Sequence, residues 1–240
     1  MKSQPNLTTP TGSDQGFTLT ELMVGLAISA LVMTAIYATF KNQHETYILQ
    51  GLVASAQQNL RAGMLFMERE IRMAGCNPLN TAAAEISVAD ADSISFTLDY
   101  TGGGVGGIFP NGVSTDANEN ITYKLSGGNL VRTIPGDPDP PPDSRIIAEN
   151  IGTLDFVYLD GASPPNVLNA GLTDITDADV RANIRSVQIT MVAVNDQGLP
   201  GYFYTRTHSN QQGDVIYGPV TNNINSRAMT VTIKARNLGL

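Results

Sequence analysis

The order of apolar and polar positions divides the chain into three stretches with different periodicities. Residues 1–16 are polar, carrying Lys2 and Asp14 and ending in Gly16. From Leu22 to Phe40 there are 19 consecutive uncharged residues, closed by Lys41. As a helix rising 1.5 Å per residue this run spans about 28 Å, close to the hydrocarbon thickness of a bilayer. It is long enough to cross a membrane once.

Past Lys41 the apolar residues Leu49, Leu52, Val53, Ala56, Leu60, Met64, Met67 and Ile71 recur at three- and four-residue steps, while Gln57, Gln58, Arg61 and Arg69 fall elsewhere. Such spacing gives a helix one apolar stripe, expected to pack on the rest of the chain. No proline interrupts until Pro78, and Gly75 followed by Asn77-Pro78 reads as a helix stop. The pattern predicts one helix over about 17–73, roughly 85 Å long. Gly25 and Gly51 are positions where it can bend or meet another helix closely.

From residue 84 the period changes to two. Candidate strands are Glu85–Ala89, Ser93–Asp99, Ile121–Leu125, Leu130–Ile134, Leu154–Leu159, Ser186–Val194, Tyr202–Thr207 and Met229–Ala235, several rich in Val, Ile, Thr and Tyr. Ser126-Gly127-Gly128-Asn129 between two alternating runs signals a hairpin. One long helix followed by many strands predicts an α+β fold, with the helix on an antiparallel sheet. The domains expected are a leader over 1–16, an apolar helix over 17–40, its amphipathic continuation over 41–75 and a β-rich head over 76–240.

The 240 residues are 42% apolar, enough for one sizeable core, and carry a net charge of −8. Residues 17–75 hold four acids and four bases, whereas residues beyond 75 hold 17 acids against 9 bases. The negative charge belongs to the head. Such a surface lacks the electrostatic footprint of a nucleic-acid binder. Cys76 is the only cysteine, so no intrachain disulfide and no cysteine-based zinc cluster can form. His44 and His208 are the only histidines and read as surface residues.

Glu21 is the one ionisable group at the head of the apolar run, with no base nearby in sequence. A charge within a membrane span is costly and implies a partner, expected from outside this helix. The other reading is a signal anchor whose Glu21 snorkels to the interface. An ordinary secretory signal would place the small-residue cleavage site after its apolar region, whereas Gly16 comes before it.

The string Gly16-Phe17-Thr18-Leu19-Thr20-Glu21-Leu22 and the apolar run after it resemble the processing motif of type IV pilins and type II secretion pseudopilins. The resemblance implies a cut by a membrane prepilin peptidase between Gly16 and Phe17 and methylation of the new Phe17 amine. It also implies that the Glu21 carboxylate pairs with the N-terminal amine of a neighbouring subunit. In place of the bases usual before the glycine, this chain has Ser13-Asp14-Gln15. The stretches Glu68–Gly75, Ile121–Leu125, Asn129–Arg132, Leu154–Tyr158 and Val231–Leu238 look like PilW-type minor pilins and the larger minor pseudopilins. The implied fold is pilin-like. The implied partners are other pilin or pseudopilin subunits, with the bacterial inner membrane as the location before assembly and the pilus, periplasm or cell surface after it.

Candidates for other chemistry are few. Gly102, Gly104 and Gly107 satisfy G-x-G-x-x-G, but Ile108–Gly112 offers no start for the helix that a dinucleotide site needs. Acidic clusters at Asp116, Asn118 and Asn120, at Asp137, Asp139 and Asp143, and at Asp174, Asp177 and Asp179 carry oxygen ligands suited to calcium, yet none completes the twelve-residue calcium loop. With no nucleophile and base pair identifiable, no enzymatic activity is expected, and no cofactor beyond calcium is suggested. Three functions follow: a minor type IV pilin, a minor pseudopilin of type II secretion, or a signal-anchored module binding calcium or another extracellular ligand.

Overall fold

The computed structural model of the protein describes residues 16–102, 109–116, 119–135, 144–195, 198 and 203–239. By its internal contacts the chain falls into two units, Met1–Ile48 and Leu49–Leu240. Helix α1 runs Leu19–Ile71 without a break, two residues shorter at each end than the sequence pattern predicts. In the first unit the described residues of α1 have almost no neighbours and stand exposed on all sides.

In the second unit α1 acts as a core element. Ala56, Leu60, Gly63, Met64, Met67 and Ile71 are buried, which is the lower part of the predicted stripe. Leu49, Leu52 and Val53 above them are only half buried. Contact is closest at Gly63, where a Cβ would lie 2.8 Å from Met191 Cε and 2.9 Å from Leu130 Cδ2. This glycine, and not Gly25 or Gly51, lets the helix approach the sheets. Among the described residues, nothing beyond the helix's own nearby backbone comes within 4 Å of a Cβ built on either of those two. After Ile71 the ladder tightens through Met73 N–H to Glu70 O and Ala74 N–H to Ile71 O. Gly75 then turns the chain out at φ +76°, with Leu238 against it.

The strands are β1 (Ile86–Ala89), β2 (Ser93–Thr97), β3 (Asn120–Ser126), β4 (Asn129–Thr133), β5 (Ser144–Ala148), β6 (Ile151–Leu159), β7 (Ser186–Val194), β8 (Tyr204–Ser209), β9 (Val215–Asn222) and β10 (Ser226–Lys234). A short helix α2 (Ala178–Arg181) precedes β7. Where the periodicity suggested one antiparallel sheet, three form: β1-β2-β3-β4-β5, β10-β7-β6 and β8-β9. All pairings are antiparallel. The predicted hairpin joins β3 to β4, with Gly127 and Gly128 both at positive φ, as a tight two-residue turn requires.

Strands β5 and β9 and helix α2 escape the sequence pattern, and β8 starts two residues later than predicted. Strand β9 contains Gly218-Pro219, a pair that ordinarily argues against a strand. It is accommodated because β8–β9 is a two-stranded pair whose register shifts at Arg206/His208, and Gly218 fits there at φ +85° against the Arg206 carbonyl. Helix α2 is a single turn with no buried residue, too short to show a periodicity.

The core lies where the second part of α1 meets the two larger sheets, with Met67, Ile71, Phe96, Tyr123, Leu130, Phe156, Tyr158 and Ile189 all buried. One polar tie crosses it. Arg132 Nε on β4 donates to Glu70 Oε2 of α1 at 2.8 Å, and the Tyr123 hydroxyl on β3 donates to the same oxygen. Both charged side chains are only 12% exposed. Burial, reinforced by the Glu70 charge, holds the Tyr123 hydroxyl far above its usual range and therefore neutral.

Replacing Glu70 with Ala strands a buried guanidinium and a buried phenol, a loss on the order of 3 kcal/mol or more. Chemical denaturation of the full chain in detergent, followed by circular dichroism, should show the unfolding free energy fall by that amount. Substitution of the half-buried Glu68, whose partner Arg72 is surface-exposed, should leave it nearly unchanged.

Candidate assembly site at the start of the long helix

Gly16, Phe17 and Thr18 are non-helical, and Phe17 is 90% exposed. Thr18 is the cap of α1. Its backbone N–H donates to Glu21 Oε2 at 2.9 Å and its hydroxyl donates to the same oxygen at 2.8 Å. The Glu21 N–H lies 3.3 Å from Thr18 Oγ1, and Leu22 N–H reaches the Thr18 carbonyl at 3.1 Å. This is a reciprocal capping box of the T-x-x-E kind, which satisfies donors that a helix start otherwise leaves open. The carboxylate also sits at the positive end of the helix dipole.

The expectation that Glu21 must find its partner outside its own helix is therefore corrected in one respect. Its hydrogen bonds come from Thr18, three residues back, while among the described residues no cation forms a salt bridge with it. Hydrogen bonding is met locally and charge neutralisation is not. The spacing from Thr18 to Glu21 carried the capping signal, which a reading focused on the missing counter-charge passes over.

Along the uncharged run the polar side chains are hidden in the same manner. Ser29 donates to the Gly25 carbonyl at 2.7 Å, Thr34 to Ala30 at 2.8 Å and Thr39 to Ala35 at 2.9 Å. Hydroxyls that bond back to the preceding turn need no water. Leu22, Met23, Val24, Leu26, Ile28, Leu31, Val32, Met33, Ile36, Tyr37 and Phe40 are all exposed. The helix is long and apolar enough to cross a membrane.

The other candidates have structural work. Asp116 accepts from Asn111 Nδ2 at 2.8 Å, Asn120 opens β3 opposite Thr97, and Asn118 lies outside the described residues. Asp174 holds the Ala91 N–H at 3.0 Å. Asp177 caps α2 through the Asp179 N–H at 2.9 Å. Among the described residues no three of His, Cys, Asp and Glu gather as a metal site would require. Asp137, Asp139 and Asp143 fall outside those residues, as do Gly104 and Gly107. Gly102 and the stretch from Phe109 to Gly112 are irregular, so no helix begins there.

Two carboxylates that the sequence did not single out are fully buried. Glu119 accepts from Tyr100 N–H, Thr101 N–H and the Thr101 hydroxyl at 2.9–3.0 Å. Asp99 accepts from Asn111 N–H at 3.2 Å and Gly112 N–H at 2.9 Å. They pin the base of the loop between β2 and β3. Nothing in a single acidic residue reveals such a role before the loop is folded around it. Cys76 is partly buried, and that burial, with the Asp99 charge, pushes its thiol up and away from reactivity. His44 is exposed and stacks on Phe40. His208 is not the plain surface residue expected: it is half buried, with Nε2 2.9 Å from Ser226 Oγ.

Residues 12–37 match the family model described as the prokaryotic N-terminal methylation motif. No curated protein sequence matches the chain. Among solved structures, a type IV-like pilin from Thermus thermophilus superposes with a TM-score of 0.47 and 11% identity, over 77% of this chain and 98% of that one. A superposition that loose transfers nothing to this chain. The methylation motif spans both Gly16 and the capping box and opens the exposed apolar helix, so what this chain is shown to carry is a prokaryotic N-terminal methylation motif at the head of a helix long and apolar enough to cross a membrane.

Proposed function

We propose that the protein is a minor type IV pilin, a non-enzymatic subunit cut between Gly16 and Phe17, methylated on the Phe17 amine, and built into a filament through α1. The observation that carries this is the combination at the helix start: a small residue just before an apolar helix, and one acid, Glu21, that has hydrogen bonds but no counter-charge among the described residues. A methylated ammonium on Phe17 of a neighbouring subunit would supply that charge, and attraction between the two is strong in a medium that excludes water. Proteins with this motif are in general structural subunits, processed by a prepilin peptidase and assembled with other pilins. The motif and the apolar helix fit an inner-membrane anchor that is later drawn into a pilus.

The minor role rests on the head. At 224 residues after the proposed cut, with ten strands among the described residues and a net negative charge, the mature chain is large for a subunit repeated along a whole filament. A pseudopilin of a type II secretion system would share the same processing and the same helix. A signal-anchored binding module would share neither the cut nor the filament.

Mass spectrometry of the protein from its native host should find a mature chain beginning at N-methylated Phe17; an intact N-terminus overturns the processing. Replacing Glu21 with Ala should abolish filament incorporation while membrane insertion persists. Replacing it with Gln separates its two duties, because a glutamine keeps the capping hydrogen bonds and loses the charge. Incorporation should fail equally in Glu21→Gln, whereas normal assembly of that variant would reduce Glu21 to a helix cap. Immunogold labelling should mark filament tips sparsely, and uniform decoration along the filament would make this a bulk subunit.

A further inference from the structure

Strands β8 and β9 form a small sheet of their own, and its turn is tied to the three-stranded sheet through polar contacts. Asn210 Nδ2 reaches Asp155 Oδ2 of β6 at 3.3 Å, Gln212 Nε2 donates to Gln188 Oε1 of β7 at 2.8 Å, and His208 Nε2 lies 2.9 Å from Ser226 Oγ of β10. A Cβ built on Gly152 of β6 would lie 3.2 Å from Tyr217 Cε2 of β9, so the Tyr217 ring passes close to the β6 backbone. Most side chains of the pair are otherwise exposed. A layer held this way has little hydrophobic area to keep it closed, so its opening is governed by the polar contacts.

The central contact is crowded. The Asn210 amide nitrogen, through its two N–H groups, donates to Asp155 Oδ2 and, at the same 3.3 Å, to Asp214 Oδ2. The other end of that amide is committed, since Asn210 Oδ1 accepts the N–H groups of Gln212 and Asp214 at 3.1 and 2.9 Å. Two carboxylates thus converge on one amide nitrogen through long bonds, and one of them, Asp155, is 3% exposed.

We propose that the β8–β9 hairpin is a pH-responsive flap, held down in acid and loosened towards neutral pH by the crowding of Asp155 and Asp214 around the single amide of Asn210. Once Asp155 is protonated, its hydroxyl becomes a donor, and the repulsion with Asp214 disappears. Of the charged groups around Asp155, Asp214 is the one that acts on it. Its register partner on β7 is the neutral Thr190, bonded to Thr230 of β10. Tyr158 further along β6 feels the Asp155 charge but is kept neutral by burial. Burial foremost, opposed by the Asn210 hydrogen bond and aided by Asp214, pushes the Asp155 carboxyl up to about 6. Because the folded value lies above the unfolded one, the contribution is present in full below the usual carboxylate range and is lost as pH rises through about 6. A gap of about two units corresponds to as much as roughly a hundredfold in the opening equilibrium. His208 acts in the opposite sense: burial, then the Arg206 and Arg227 charges, hold its pKa down, so its contribution is lost as pH falls.

Amide hydrogen exchange of the full chain in detergent micelles at pH 4.5 and 7.5, compared with Asp155→Asn at each pH, isolates the Asp155 contribution from His208 and from intrinsic exchange. The wild-type flap should open at least tenfold more readily relative to the variant at pH 7.5 than at pH 4.5. A wild-type to variant ratio that does not change with pH overturns the proposal. A carboxyl-carbon NMR titration of the unaltered protein provides a second reading: a midpoint near 6 for Asp155 supports the flap, and one near 4 overturns it.

Discussion

Around α1 from Leu22 to Phe40 the side chains stand exposed on every face of the helix, and water is the environment they tolerate least. Each buried methylene is worth about 0.8 kcal/mol, so a run of this length acts as a standing demand for a lipid or protein surround. The features near it answer that demand. Ser29, Thr34 and Thr39 turn their hydroxyls back onto the helix, the backbone satisfies itself, and Glu21 gathers its hydrogen bonds from Thr18. Among the described residues no cation pairs with Glu21, so its charge is the part of that demand left open.

The second unit solves a different problem with the same helix. Here α1 has to give a water-soluble head its core, and it does so through one stripe in place of a whole circumference. Gly63 lets the backbone come close to Met191 and Leu130, and Glu70 ties the helix to β3 and β4 through Tyr123 and Arg132. A buried ion pair of this kind gives little net stability compared with a well-packed apolar substitute, but it penalises any register that leaves a partner unpaired. It accordingly fixes which residues of the helix face which strand.

Acidic residues in the head divide by what holds them. Asp99 and Glu119 are buried yet well supplied with backbone N–H donors, and Asp174 and Asp177 organise loops in the same manner. Asp155 is buried beside the Asn210 amide, which also faces Asp214. These partners come together only when parts of the chain distant in sequence fold against one another.

The sequence by itself determined the long helix, its stop at Gly75, the Gly127-Gly128 hairpin and the α+β class, and it carries the methylation motif that spans Gly16, Phe17 and Glu21. Each is a local property, readable from period, punctuation or a short motif, because the physics behind it acts within a few residues. It also contained the Thr18 to Glu21 capping box. What only the tertiary structure decided is non-local. Adjacent apolar residues in β5 and a Gly-Pro pair in β9 gain strand geometry from the neighbours they pair with, and one run of alternating strands divides into three sheets according to which edges find partners. The same holds for Gly63, Glu70 and Asp155: nothing within a few positions of them marks their roles, which come from side chains as many as 128 residues away along the chain.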